Sequence, residues 1–108
     1  MRANAPGAPV LRHGALFYDR VGRTAQINGH PLTLSARERA LLEAFLRQPG
    51  RMVSKAELVE LLCERGEALS ANAVEVYVHR LRKKLAAGGV KIYTVRGLGY
   101  CLEEPETL

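Results

Sequence analysis

Ser35-Ala-Arg-Glu38, Ser54-Lys-Ala-Glu57 and Asn72-Ala-Val-Glu75 repeat one pattern, a short polar side chain followed three residues later by a glutamate. The cap side chain accepts from the glutamate N–H and the glutamate reaches back to the cap N–H, so each pair closes the start of a helix. The first two are capping boxes proper and the third is a looser variant. Apolar residues at helical spacing follow each start. The first predicted helix, about Ala36 to Gln48, offers Leu41, Leu42, Phe45 and Leu46 and stops at Pro49-Gly50. The second, about Lys55 to Glu64, offers Leu58, Val59, Leu61 and Leu62 and ends near Gly66. A polar loop, Glu64 to Ala71, leads to the third, which runs from Asn72 to the glycine pair Gly88-Gly89.

Strands flank the helices. Between Val10 and Leu34 the runs LRHGALFYD, TAQIN and HPLTL are separated by turns at Asp19 to Gly22 and at Asn28-Gly29. Asn-Gly between apolar alternations is a strong hairpin signal, because both central residues of a type I′ turn need positive φ. After the third helix, VKIYTV and GYCL bracket Arg96-Gly97-Leu98-Gly99, a second hairpin with a glycine-flexible, arginine-bearing tip. The order of strands, three helices and a C-terminal hairpin is that of an α+β winged helix-turn-helix. Residues 1–9, MRANAPGAP, read as a linker or disordered remnant, 10–104 as the domain and 105–108 as a tail. A chain of 108 residues holds one such core and no second domain.

On the third helix Val74, Val78, Leu81 and Leu85 fall within about 60° of one another and form the face that docks on the core. Opposite lie Asn72, Val76, His79, Arg80 and Lys83, with Ala73, Tyr77 and Lys84 on one flank and Glu75 and Arg82 on the other. The formal charge of +5 belongs to this region. Residues 71–100 carry Arg80, Arg82, Lys83, Lys84, Lys91 and Arg96 against Glu75, six minus one, while the rest balances ten basic against ten acidic side chains. Charge gathered in one segment is the footprint of a polyanion-binding surface. In a major groove arginine pairs bidentately with guanine, asparagine with adenine, and an exposed valine packs on a thymine methyl. Two positions stay open on the residues alone. Arg82 either reaches the polyanion or pairs with a carboxylate on the first helix, for which Glu38 is the candidate, and Tyr77 either touches a phosphate or packs sideways.

Other chemistries lack their motifs. CxxC, HExxH, GxSxG and P-loop spacings are all missing, so neither an enzyme nor a metal or cofactor site is expected. Cys63 and Cys101 read as small core or surface residues, and His13 and His30 as plain surface residues. No long apolar run or secretory h-region occurs, which predicts a cytoplasmic protein without membrane contact.

The strings LTLSARERALLEAFLRQPGRMVSKAELVELL, SANAVEVYVHRLRKKL and KIYTVRGLGYCL closely resemble the C-terminal effector domain of OmpR/PhoB-type response regulators, and NAVEVYVHRLRKKL looks most like the QseB/PmrA-like group. The resemblance implies a four-stranded N-terminal antiparallel sheet, three helices and a C-terminal β-hairpin wing. It implies a bacterial transcription regulator, associated with the nucleoid when bound to direct-repeat half-sites on double-stranded DNA, with the third helix in the major groove. Positions matching Asn72, Val76, Tyr77, His79, Arg80 and Arg82 then face bases or phosphates, and Thr94 and Arg96 are wing contacts at phosphate and minor groove. The loop Glu64 to Ala71 matches a segment associated with RNA polymerase. A receiver domain and its cognate sensor kinase are the implied partners. Many family members have histidine at Tyr77, and several have arginine at Asn72 and His79, so the preferred DNA sequence does not transfer. The competing reading is a winged-helix module that docks a protein without DNA. Such a module would not gather its whole net charge on the third helix and wing, nor elute from heparin with a steep salt dependence.

Overall fold

The computed structural model describes residues 10–47, 50–63 and 70–103. Strands β1 (Val10–His13), β2 (Leu16–Asp19), β3 (Thr24–Ile27) and β4 (His30–Leu32) form an antiparallel meander in sequential order. Alternation decides its faces. Leu16 and Tyr18 on β2 and Ala25 and Ile27 on β3 turn inward and are buried, while Phe17 and Gln26 face out. The Asn28-Gly29 turn joins Ile27 to His30 with φ of 52° and 80°, the type I′ geometry the dipeptide predicts. At the preceding turn Asp19 Oδ1 accepts from the N–H groups of Val21 (3.0 Å) and Gly22 (3.2 Å).

Helices α1 (Ala36–Arg47), α2 (Lys55–Leu62) and α3 (Ala71–Leu85) pack on one another. The expected apolar positions carry the packing: Leu41, Leu42, Phe45 and Leu46 of α1, Leu58 and Leu62 of α2, and Val74, Val78, Leu81 and Leu85 of α3 are all buried. Val59 and Leu61 lie half-buried against this cluster. A short 3-10 turn, Ala86–Gly88, ends in Gly89 and leads into β6 (Ile92–Val95) and β7 (Gly99–Leu102). Both predicted capping boxes on serine form. Ser35 Oγ accepts from Glu38 N–H (3.2 Å) and Glu38 Oε1 from Ser35 N–H (2.9 Å), and Ser54 and Glu57 repeat the exchange.

Several expectations are corrected. The run LRHGALFYD is two strands, because the chain reverses at Gly14-Ala15 and pairs His13 with Leu16. A strand missed in the sequence, β5 (Met52–Ser54), pairs with β7, so the wing is part of a three-stranded sheet in the order β5-β7-β6. Helix α3 begins earlier than Asn72. Ser70, in extended conformation, is its N-cap and its hydroxyl accepts from Ala73 N–H at 3.2 Å, which leaves Asn72 inside the first turn. The stretch Glu64 to Ala71 is therefore not all loop, since Ser70 and Ala71 start the helix, and 64–69 lie outside the described residues. Gly88-Gly89 ends the 3-10 turn rather than the α-helix. His13 is not a surface residue but is buried beside Glu103.

The ion pairs link layers. Arg23 (β2–β3 turn) and Tyr18 both donate to Glu43 of α1. Burial pushes the Tyr18 hydroxyl up to about 12, with the Glu43 bond acting in the same direction. Burial raises the carboxyls of Glu38 and Glu43, but their hydrogen bonds outweigh it and hold both below the ordinary value. Burial also lowers the His13 imidazole, against the opposing pull of Glu103. Glu38, Glu43 and His13 bind protons more weakly folded than unfolded, so each contributes stability above its unfolded pKa that is lost as pH falls through the folded one. Thermal melts should fall first below pH 6.5, the ordinary histidine value, and again below 4.5, the ordinary glutamate value. His13→Gln should remove the first decline only.

Candidate nucleic-acid interface

Helix α3 presents the predicted solvent face. Asn72, Val76, His79, Arg80 and Lys83 are exposed, and Val76 retains 47% of its surface. Among the described residues none of Asn72, His79, Arg80 and Lys83 spends its side chain on an intrachain hydrogen bond. Glu75, the one acidic residue of 71–100, is neutralised by Lys55 of α2 at 2.8 Å, and that bond raises the Lys55 pKa.

The six cations of this segment divide into two roles. Lys84 turns inward, where its Nζ donates to Glu38 Oε1 (2.6 Å) and Thr33 O (2.8 Å). Glu38 thus has Lys84 as its partner, and of the two roles left open for Arg82 the pair with Glu38 does not form. Lys84 lies two residues past Arg82, which puts it on the opposite flank of the core stripe. Arg82 is half-buried and turns to the wing, donating from Nε to Ile92 O (3.0 Å) and from Nη2 to Thr94 Oγ1 (3.1 Å). Arg80, Lys83, Lys91 and Arg96 remain outward-facing. The outward field is therefore weaker than the sequence count, and it is carried by exposed residues of α3 (Arg80, Lys83) and of the segment that forms the wing (Lys91, Arg96).

Tyr77 packs sideways against the core and is half-buried. Arg37 of α1 donates to that hydroxyl (3.1 Å), and the Arg37 and Arg80 guanidiniums lie over the ring at 5.6 and 5.8 Å. Arg37 was missed in the sequence. Nothing local marks it, because only tertiary packing brings it to a residue 40 positions away. The wing tip is the turn Arg96-Gly97-Leu98, closed by Leu98 N–H to Val95 O (2.9 Å), with Gly97 at φ 76°. Arg96 is exposed there, Thr94 is exposed on β6, and the neighbouring Leu98, at 59% exposure, is an apolar tip residue the sequence reading also passed over.

Known proteins share this fold and much of this sequence. The family model described as "Transcriptional regulatory protein, C terminal" matches residues 29–102. The transcriptional regulatory protein QseB of Escherichia coli O157:H7 is 42% identical over 103 residues, which cover 95% of this chain and 46% of QseB. The probable transcriptional regulatory protein y4xI of Sinorhizobium fredii is 40% identical over 97 residues, 88% of this chain and 43% of that protein. The chain thus spans less than half the length of these curated relatives. Among solved structures, the Klebsiella pneumoniae RstA DNA-binding domain in complex with RstA box superposes with a TM-score of 0.74 at 29% identity, covering 87% of this chain and 96% of that one. The DNA-binding domain of CpxR from E. coli gives a TM-score of 0.77 at 27% identity, covering 92% of this chain and 100% of that one. Matching sequence over most of its length, and with the same helices and hairpin in the same order, this chain belongs to the family of transcriptional regulatory protein C-terminal domains, the winged helix-turn-helix domains of OmpR/PhoB type.

Proposed function

We propose that this chain binds double-stranded DNA sequence-specifically and regulates transcription as the effector domain of a two-component response regulator in the bacterial cytoplasm. The observation that carries the reading is the solvent face of α3, where Asn72, Val76, His79 and Arg80 stand together, exposed and with no intrachain hydrogen bond from their side chains among the described residues, opposite the buried stripe. A helix of 15 residues is about 22 Å long and a major groove about 12 Å wide accepts it. Arg80 is assigned to guanine, Asn72 to adenine and Val76 to a thymine methyl, with His79 beside them. Tyr77 offers its hydroxyl to a phosphate, Thr94 does the same from β6, and Arg96 enters the minor groove. Among the described residues no helix is long and apolar enough to cross a membrane.

Two such domains occupy direct-repeat half-sites. A receiver domain, phosphorylated by its cognate sensor kinase, pairs them and raises their effective concentration on DNA. The stretch 64–71 is assigned to RNA polymerase.

Arg80→Ala should cost about 1–3 kcal/mol of discrimination and relax the preference at one base pair. Arg96→Ala should weaken binding across all sequences and reduce the slope of log K against log salt by about 1. Mobility shifts on specific and scrambled duplexes at several salt concentrations separate the two effects. Unchanged affinities for both variants would reject the interface.

A further inference from the structure

We propose that Arg82 is a positioning residue, a strut that fixes the wing at a set angle to α3 so that helix and wing engage DNA as one rigid body. The contribution to DNA binding rests on the reading above; the strut itself does not.

Sheet order makes the wing need such a support. In β5-β7-β6 the strand β6 is, among the described residues, an edge that pairs with β7 alone. Glu103 N–H bonds Lys91 O at 2.8 Å, and alternation in an antiparallel ladder then turns the Ile92 carbonyl, one residue on, away from β7 toward the open edge. The Arg82 guanidinium meets it there. Its Nε–H takes Ile92 O, and its Nη2 takes Thr94 Oγ1 two residues along the same strand face. The planar fork thus grips β6 at two points, which a lysine ammonium on a flexible stem cannot reproduce. Arg82 also lies half-buried, so its orientation is set by packing as well as by these bonds. The same two bonds preset Thr94, whose hydroxyl accepts from Arg82 and keeps its own proton to donate outward. Arg96 is two residues beyond Thr94, at the tip the strut steadies.

Arg82→Lys separates this role from a direct phosphate contact, because it keeps the charge and removes the fork. The first readout is amide hydrogen exchange of the DNA-free 108-residue chain. The Tyr93 and Val95 amides, bonded to β7, should lose protection by about tenfold while those of Val78 and Leu81 in α3 are unchanged. The second is a double-mutant cycle on DNA affinity. Arg96→Ala should weaken binding at least threefold less, as a rough threshold, in the Arg82→Lys background than in the native one. Thr94→Val, which removes one end of the strut at constant volume, should reproduce the exchange change in part and serves if Arg82→Lys proves unstable. Unchanged exchange in β6 overturns the strut whatever the DNA result. Normal strut behaviour in exchange with no sequence-selective binding by the native chain overturns the DNA reading instead. Additive effects of Arg82→Lys and Arg96→Ala on affinity would leave Arg82 as an ordinary contact and overturn its positioning of the wing on DNA.

Discussion

Gly99→Ala is expected to destabilise the domain by about 3 kcal/mol or more, a large share of the roughly 5–15 kcal/mol that holds a domain of this size folded. A Cβ at Gly99 would sit 2.1 Å from Val53 O, 2.8 Å from Ser54 Cα and 2.9 Å from Val53 C. All three are backbone atoms, so no side chain can swing aside. The clash falls where three elements meet, since Ser54 is at once the end of β5, the register partner of Gly99 and the N-cap of α2. Pushing β7 away therefore breaks the sheet and the start of the helix together. Gly97→Ala is the contrast. Its φ of 76° disfavours a side chain but nothing lies within 4 Å, so it should cost only about 1 kcal/mol. Urea denaturation of both variants tests the difference. Equal midpoints would show that β7 does not depend on its close approach to β5.

Glu38→Ala is the second large effect, about 2–4 kcal/mol. Glu38 is only 3% exposed and serves two partners at once, the Ser35 N–H and the Lys84 ammonium. Its removal unmakes the capping box of α1 and leaves Lys84 with the Thr33 carbonyl alone. Glu57 closes the equivalent box on α2 but is exposed, so Glu57→Ala should cost nearer 1 kcal/mol. Chemical denaturation resolves a gap of that size. Matching losses would mean that the Lys84 pair adds nothing to a surface cap.

The periodic parts of this fold were legible in the residues. Capping serines, apolar residues at i, i+4 and the Asn-Gly turn are local signals, and α1, α3 and the β3–β4 hairpin follow them closely. Non-local parts were not. The three residues of β5 are too few for a period, and they become a strand only because Gly99 lets β7 come close. His13 looks like any polar strand residue until the first hairpin folds it inward. The third cap lies at Ser70 and not at Asn72, because Ser70 takes the role through an extended backbone that the sequence does not display.

The interface shows the same division. Which residues of α3 face out was readable from 100° steps, because helix geometry alone sets it. How charges are spent was not, since Lys84 and Arg82 look identical in kind to Lys83 and Arg80. Only the positions of Glu38 and of the free edge of β6 separate structural cations from outward ones. Gly99 belongs with these. It was read as part of a flexible tip, and its role is close packing.

The central claim is sequence-selective DNA binding by the face of α3, and selection from random duplexes followed by titration tests it most directly. The native chain should bind the enriched duplex about a hundredfold or more tighter than a scrambled one, with affinity falling as salt rises, and Arg80→Ala should collapse that preference while the chain stays folded. Equal affinity for both duplexes, or a preference that survives Arg80→Ala unchanged, would contradict it.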